Sequence, residues 1–231
     1  MGATPWKFES SSGHQFLVES GMQVRNRKLK ESSRKWLERQ LSDPFVAEAK
    51  RLGYRSRAAF KILEIQEKFR VIRKDAVVVD LGAAPGGWSQ VVAPIARRVV
   101  AVDLLDMSPL PGVEFIRGDF LEQSCAELLE QMLGGQKVDV VLSDMAPNTC
   151  GIHRIDHLRI MNLIEAVYAF CQTTLKPGGA IVAKVFQGGT EVGLLTELKH
   201  NFAKVSHFKP NSSRKSSPET YLIATGYVGK E

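Results

Sequence analysis

The chain has 231 residues, 44% hydrophobic and 24% charged, with 31 Lys and Arg against 25 Asp and Glu for a net charge of +6. That balance belongs to a compact globular protein with an added arm, and it excludes fibrous, collagenous and wholly disordered chains. The longest apolar runs, residues 75–81 and 138–142, fall far short of the roughly 20 residues that a membrane-spanning helix needs.

Residues 1–31 mix Ser, Gly and charge without periodicity, which predicts a flexible leader. The opening MGATPWKFESSSGHQ lacks the basic-then-apolar order of a secretory signal. Glu9 and Glu19 argue against an organellar transit peptide, so a cytoplasmic location is expected. Residues 22–74 carry 16 basic and 6 acidic side chains, a net +10, which leaves −4 for the rest of the chain. A basic face beside a nearly neutral domain suits a phosphate backbone, because each neutralised phosphate releases counterions. The same run is equally consistent with a solvated helix surface.

From residue 32 to 51, Trp36, Leu37, Leu41, Phe45 and Val46 recur at helical intervals, broken at Ser42-Asp43-Pro44. A helical pair is expected, with Ser or Asp capping the second helix and Pro44 opening it. In RSRAAFKILEIQEKF an apolar stripe of Ala59, Ile62, Leu63 and Ile65 leaves Arg55, Arg57 and Lys61 able to face elsewhere, a basic amphipathic helix. Residues 32–74 therefore read as a basic helical N-terminal extension, and residues 75–231 as the main domain.

From residue 75 strands and helices alternate. AVVVDLG precedes a helix at 89–95, RRVVAVDLL precedes VEFIRGDF and the helix SCAELLEQML, and KVDVVLSD precedes a helix at 154–175. AIVAKVF, a helix at 191–202, and the strands KVSHFKP and ETYLIATGY complete the chain. The pattern predicts an α/β protein of Rossmann-like fold, a mostly parallel seven-stranded sheet flanked by helices. Lys176-Pro177-Gly178-Gly179 predicts the turn between the long helix and the next strand. Cys125, Cys150 and Cys171 are odd in number and lack metal-ligand spacing, so neither disulfides nor a zinc site is expected.

The first strand runs into Asp80-Leu81-Gly82-Ala83-Ala84-Pro85-Gly86-Gly87-Trp88. Glycines at the carboxyl end of a strand let a ligand approach the backbone where open α/β sheets bind ligands. The spacing is not G-x-G-x-x-G, and Pro85 removes an N–H that a pyrophosphate cradle would use. A carboxylate at Asp103, ending the second strand, can accept both hydroxyls of a ribose. An adenosine without pyrophosphate fits, hence S-adenosylmethionine, with Asp119 after the third strand placed for the adenine amino group. Each acid alone is as consistent with a helix cap; the recurrence at successive strand ends is what points to a ligand. Asp144 ends the fourth strand, and Lys184 interrupts an apolar one, where desolvation favours a neutral amine. On its own, Lys184 could instead snorkel from an edge strand, Lys61 reads as surface charge and Glu219 as a loop acid.

With LGAAPGGWSQ, SDMAPN, KVFQG and the set Lys61, Asp144, Lys184 and Glu219, the chain resembles the RrmJ/FtsJ RNA 2′-O-ribose methyltransferases, specifically the bacterial branch acting on large-subunit ribosomal RNA. The likeness covers roughly residues 32–226. It implies a catalytic tetrad of Lys61, Asp144, Lys184 and Glu219, with Lys184 as general base. It also implies that Gly86, Trp88, Asp103, Asp119 and Asp144 line the S-adenosylmethionine site. The reaction it implies is an in-line attack of a ribose 2′-hydroxyl on the sulfonium methyl, without a metal, on a uridine of the 23S rRNA A-loop by a monomer. A tRNA substrate is the nearest alternative. A nicotinamide oxidoreductase is disfavoured by the glycine spacing, and a base-amino methyltransferase by Asp144-Met145-Ala146-Pro147 in place of Asn/Asp-Pro-Pro-aromatic. A non-catalytic RNA-binding assembly factor would share the basic arm but has no use for the four converging polar residues.

Overall fold

The computed structural model describes residues 8–9, 15–16, 38, 40–147, 151–187 and 192–229. The chain divides into two compact units, residues 1–47 and 48–231. In the first, β1 (Phe8–Glu9) pairs antiparallel with β2 (Gln15–Phe16), a short ladder inside the segment expected as a leader. Every Lys and Arg from Arg25 to Arg39 lies outside the described residues. The expected break is present at Ser42, whose hydroxyl donates to the Glu38 carbonyl at 2.8 Å. Asp43 Oδ1 accepts the Phe45 N–H at 3.1 Å, and Pro44 opens α1 (Pro44–Leu52), a position where its missing N–H has no helical partner to lose.

The second unit continues with α2 (Ala58–Phe69), β3 (Val77–Leu81), α3 (Gly87–Val92), β4 (Arg98–Asp103), β5 (Val113–Arg117) and α4 (Gln123–Leu133). Then come β6 (Val138–Ser143), α5 (His153–Thr174), β7 (Leu175–Phe186), α6 (Val192–Asn201), β8 (Phe202–Phe208) and β9 (Glu219–Tyr227). Seven strands form one sheet in the order β5-β4-β3-β6-β7-β9-β8. Pairing is parallel from β5 through β7, and β9 runs antiparallel between β7 and β8. This is the Rossmann-like, mostly parallel sheet expected. Chain order reverses at β3, with β4 and β5 to one side and β6 and β7 to the other. A crevice therefore opens beyond the carboxyl ends of β3 and β6.

β3 is buried along its whole length, in keeping with the three consecutive valines that open it. Its side chains alternate between two cores. Val77, Val79 and Leu81 pack with Leu129 of α4, Ile160 and Ile164 of α5 and Leu198 of α6. Val78 packs with Ile62 and Ile65 of α2 and Trp88 and Val92 of α3. The same parity holds in β7, where Ala180 and Val182 face the α2 side, and in β9, where Tyr221 and Ile223 do. Lys184 and Glu219 continue those two series, so the polar residues of β7 and β9 share the face covered by α2.

Two local expectations are revised. Lys176-Pro177-Gly178-Gly179 is a bulge inside β7 and not a turn before it: Val138 pairs with Leu175 and Val140 with Ala180, so four residues loop out opposite Asp139. Gly178 takes φ +80° there, and Lys176 pairs with Asp139. In α2, Ala59, Ile62 and Ile65 are buried as expected, but Lys61 is buried with them. Cys125 and Cys171 are buried free thiols; Cys150 lies outside the described residues. Among the described residues no helix is long and apolar enough to cross a membrane.

Candidate active site

The loop after β3 closes tightly on its neighbours. A Cβ on Gly82, at φ +76°, would lie 2.8 Å from Met145, and one on Gly86, at φ +102°, would meet Met107 at 2.9 Å and Arg55 at 3.0 Å. The loop's amides are already used. Gly82 and Ala83 donate to the Val102 carbonyl at 2.9 and 3.2 Å, and Gly86 donates to Ala83 at 2.7 Å. Ala84 donates to Asp103 Oδ2 at 2.8 Å. With Pro85 lacking an N–H, the stretch from Gly82 to Gly86 offers no spare donor to a pyrophosphate, which weighs against a dinucleotide.

The acids at the strand ends hold their own loops and keep capacity to spare. Asp103 Oδ1 accepts the Leu105 N–H at 2.7 Å, and Asp119 Oδ1 accepts that of Leu121 at 2.9 Å. Both carboxylates are half-buried, with lone pairs left over. Beside them Leu104, Leu105 and Leu121 are exposed apolar side chains. Carboxylates for hydroxyls next to apolar side chains for a base fit a methyl donor built on a nucleoside. Trp88 is placed differently from a lining side chain. Its indole is buried, donates to the Ala58 carbonyl at 2.9 Å and lies 5.5 Å from the Tyr221 ring. What Trp88 can offer a ligand is its backbone.

Asp80, one residue before the loop, is fully buried. Ser89 donates to its Oδ2 at 2.6 Å, and Oδ1 has no hydrogen-bond partner. Burial pushes its carboxyl up to about 7; the Ser89 hydrogen bond opposes this and the Asp144 and Asp103 charges add to it.

The segment before α2 is part of this site. Arg55 donates to the carbonyls of Ser108 and Pro109, both at 2.7 Å, and of Pro85 at 3.3 Å. It thereby joins the glycine loop to the loop after β4. The Gln90 side chain of α3 accepts from the Arg55 N–H and donates to the Gly53 carbonyl, each at 2.8 Å. Arg57 donates to the Ser212 carbonyl. The apolar stripe leaves Arg55, Arg57 and Lys61 able to point elsewhere, and each meets an acceptor of the same chain; a charge pattern shows which side chains are cations and not which acceptors fold against them.

At the carboxyl end of β6 and β7 the four tetrad residues come together as two ion pairs. Lys184 Nζ lies 2.9 Å from Asp144 Oδ1 and donates to the Asp144 carbonyl at 2.7 Å. Lys61 Nζ lies 2.8 Å from Glu219 Oε1. The side chains are 10% exposed for both lysines, 18% for Asp144 and 15% for Glu219, so each reaches solvent through a small opening. Asp144 donates its N–H to the Leu81 carbonyl at 3.1 Å, which ties the tetrad to the start of the glycine loop. β7 is an interior strand, so Lys184 cannot snorkel past an edge. Glu219 is the first residue of β9, opposite Phe186, and not a loop acid.

Two further side chains complete the cluster. Tyr221, fully buried, donates its hydroxyl to Asp144 Oδ1 at 2.6 Å. Ser213 donates to Glu219 Oε1 at 2.8 Å. Burial raises the Asp144 carboxyl, but the Lys184 and Lys61 charges and the hydrogen bonds from Tyr221 and Lys184 outweigh it and hold the group below the ordinary carboxylate range. Glu219 follows the same balance, with burial opposed by Lys61, Lys184 and Ser213. Burial, then the negative charges of Asp144 and Glu219, push the Tyr221 phenol well up, so it stays a donor. Sequence reasoning did not single out Tyr221; the signal available was its period-two spacing from Glu219. Among the described residues no group of three or more His, Cys, Asp or Glu could hold a metal ion.

A seven-stranded sheet with its antiparallel β9, a loop without pyrophosphate donors and acids at successive strand ends define the class of Rossmann-like methyltransferases. Residues 54–227 match the profile of the FtsJ-like methyltransferases, and the chain belongs to that family. Ribosomal RNA large subunit methyltransferase E of Acidiphilium cryptum (strain JF-5) is 57% identical over 202 residues, covering 87% of this chain and 89% of the relative. The protein of the same name from Rhodopseudomonas palustris (strain TIE-1) is 54% identical over 208 residues, 87% of each chain. Among solved structures, a Plasmodium falciparum chain described as a ribosomal RNA methyltransferase superposes with a TM-score of 0.68 at 30% identity, covering 77% of this chain and all of that one.

Proposed function

We propose that the protein transfers a methyl group from S-adenosylmethionine to the 2′-hydroxyl of a uridine in the 23S rRNA A-loop of the large ribosomal subunit. The observation that carries this reading is the Lys184 amine, held by both the side chain and the carbonyl of Asp144 beside the glycine loop, with Lys61–Glu219 as a second ion pair at the same opening. The names of the relatives, ribosomal RNA large subunit methyltransferases, support the choice of RNA.

When bound, S-adenosylmethionine supplies an electrophilic methyl carbon on a good leaving group. Asp103 and Asp119 would hold its ribose and adenine, and Gly86, the Trp88 backbone and Asp144 would line the remainder. Asp144 aims the Lys184 side chain, and Lys184, in its neutral amine form, takes the 2′-hydroxyl proton at Nζ as that oxygen gains the methyl. Lys61, oriented by Glu219, places a second cation at the hydroxyl. The tetrad recognises a ribose hydroxyl and not a base, so selectivity falls to RNA shape, with the target nucleotide splayed into the site.

The test is incubation with labelled cofactor and either large ribosomal subunits from a strain lacking this protein or unmodified tRNA. Label on the 2′-hydroxyl of one rRNA uridine is the expected result. Methylation confined to tRNA overturns the ribosomal substrate, and Lys184→Ala with substantial turnover overturns the base.

A further inference from the structure

On α2, Arg57 at the helix cap, Lys61 and Glu64 are spaced four and three residues apart, so they follow one face of the helix. Lys61 enters the site, and its two neighbours on that face reach the loop between β8 and β9. Glu64 Oε2 accepts the Asn211 N–H at 2.6 Å, and Oε1 accepts the Ser212 N–H at 2.8 Å, across about 150 residues of sequence. Arg57 donates to the carbonyl of the same Ser212. One residue of the loop is therefore gripped at its N–H by an anion and at its C=O by a cation, both charge-assisted bonds.

The next residue, Ser213, is buried and donates to Glu219 Oε1, the oxygen that also pairs with Lys61. Ser217, from the same loop, accepts the Glu219 N–H at 3.2 Å. The path closes on itself: α2 fixes the loop, the loop fixes the Glu219 carboxylate, and Glu219 fixes the lysine that α2 delivers. A surface acid on an amphipathic helix needs no such partners, and a serine in a solvated loop would face water.

We infer that Glu64 and Ser213 are positioning residues for methyl transfer, acting through Glu219 on Lys61. The inference rests on the reading of Lys61 and Glu219 as part of the active site. Removing the Ser213 hydroxyl leaves Glu219 Oε1 with the lysine as its sole side-chain donor and lets the pair swing. Removing the Glu64 carboxylate frees the loop that carries Ser213. Catalytic groups must be held within about 0.5 Å of productive geometry, so both losses reduce turnover without touching the cofactor loops.

The experiment uses the full chain, labelled S-adenosylmethionine and large ribosomal subunits from a strain lacking the protein. Ser213→Ala is expected to lower kcat about tenfold with the cofactor KM unchanged, and Ser213→Thr, which keeps a hydroxyl, to restore most of it. Glu64→Ala is expected to lower kcat by a similar factor, with Glu64→Gln, which keeps one acceptor, in between. Combined with Lys61→Ala, neither substitution should lower the residual rate further, since both act through that amine. Full turnover in Ser213→Ala and Glu64→Ala beside an impaired Lys61→Ala overturns the positioning role and leaves the site reading intact. Full turnover in Lys61→Ala overturns the site reading and the inference with it. Losses that add to that of Lys61→Ala, or a Thr variant as poor as Ala, make Ser213 a structural residue only.

Discussion

Tyr221 and Lys184 face each other across the β7–β9 register and converge on one oxygen, Asp144 Oδ1, the phenol at 2.6 Å and the ammonium at 2.9 Å. Asp144 therefore owes its low-lying carboxyl to charges and to a neutral donor from an adjacent strand. Tyr221→Phe removes that donor with little change of volume. The carboxyl then titrates higher, a rise that NMR of the Asp144 carboxyl against pH reads directly. A drop in kcat of about tenfold at neutral pH is expected. An Asp144 titration and a kcat both unchanged from the wild type would show that the phenol only fills space.

Both oxygens of Asp103 accept backbone N–H groups, Oδ2 from Ala84 and Oδ1 from Leu105, and those bonds must be separated from ligand binding. Asp103→Ala should weaken S-adenosylmethionine by roughly 1.5–3 kcal/mol, the range of a hydrogen bond to a charged acceptor. Asp103→Asn retains one backbone acceptor and should still bind weakly, because a neutral amide offers a ribose less than a carboxylate does. Calorimetry on both variants checks this; full affinity in Asp103→Asn would reduce Asp103 to a loop anchor.

Asp80 has the opposite sign from Asp144 and Glu219. Its folded-state carboxyl lies near 7, above the ordinary value of 3.8, so folding favours the protonated form. Stability from this group is complete below about pH 4, declines as pH rises towards 7 and is constant beyond. The full span is roughly 4 kcal/mol. Asp80→Asn removes the titration, so the variant's melting temperature relative to wild type should climb between pH 4 and 7 and then level off. A constant difference across that range would mean that Asp80 ionises as freely folded as unfolded. Asp144 and Glu219, with lowered values, contribute stability above the carboxylate range that is lost as pH falls.

Arg55 lies in the basic stretch but donates only to carbonyls of its own protein among the bonds described. Arg55→Met should lower the melting temperature and weaken the cofactor, since two loops of its site lose their common donor. The salt dependence of RNA binding should not change, whereas each lost phosphate contact would flatten the log–log slope by about 0.7–0.9. Measuring that slope by RNA titration at several salt concentrations decides between the two roles.

The sheet was legible because seven β-rich runs alternate with helical periods, and β3 shows by its unbroken valines that it is covered on both faces. The glycine loop and the acids after β4 and β5 followed from strand-end chemistry, and the tetrad from its resemblance to a family. What stayed hidden was pairing across distance. Tyr221 in ETYLIATGY looks like any core aromatic until the β7–β9 register sets it against Lys184. Ser212 and Ser213 sit in a polar, lysine-bearing segment that reads as a solvated loop, and only the fold brings Glu64 to their amides. Lys176-Pro177-Gly178-Gly179 carries the composition of a turn, and local composition does not distinguish a turn between elements from a bulge opposite Asp139.

The placement of Lys184, Glu219 and Tyr221 on alternate positions of two neighbouring strands ties activity to correct assembly of the sheet. If β9 docked one residue out of step, its even and odd positions would exchange faces, and Tyr221 and Glu219 would both turn towards α4, α5 and α6. Leu222 and Thr220 would then stand where the phenol and the carboxylate belong. No intermediate geometry exists between the two arrangements, because parity has only two values. A chain misaligned in this way lacks the tetrad, and methyl transfer therefore reports the alignment of its last strand, β9, between β7 and β8.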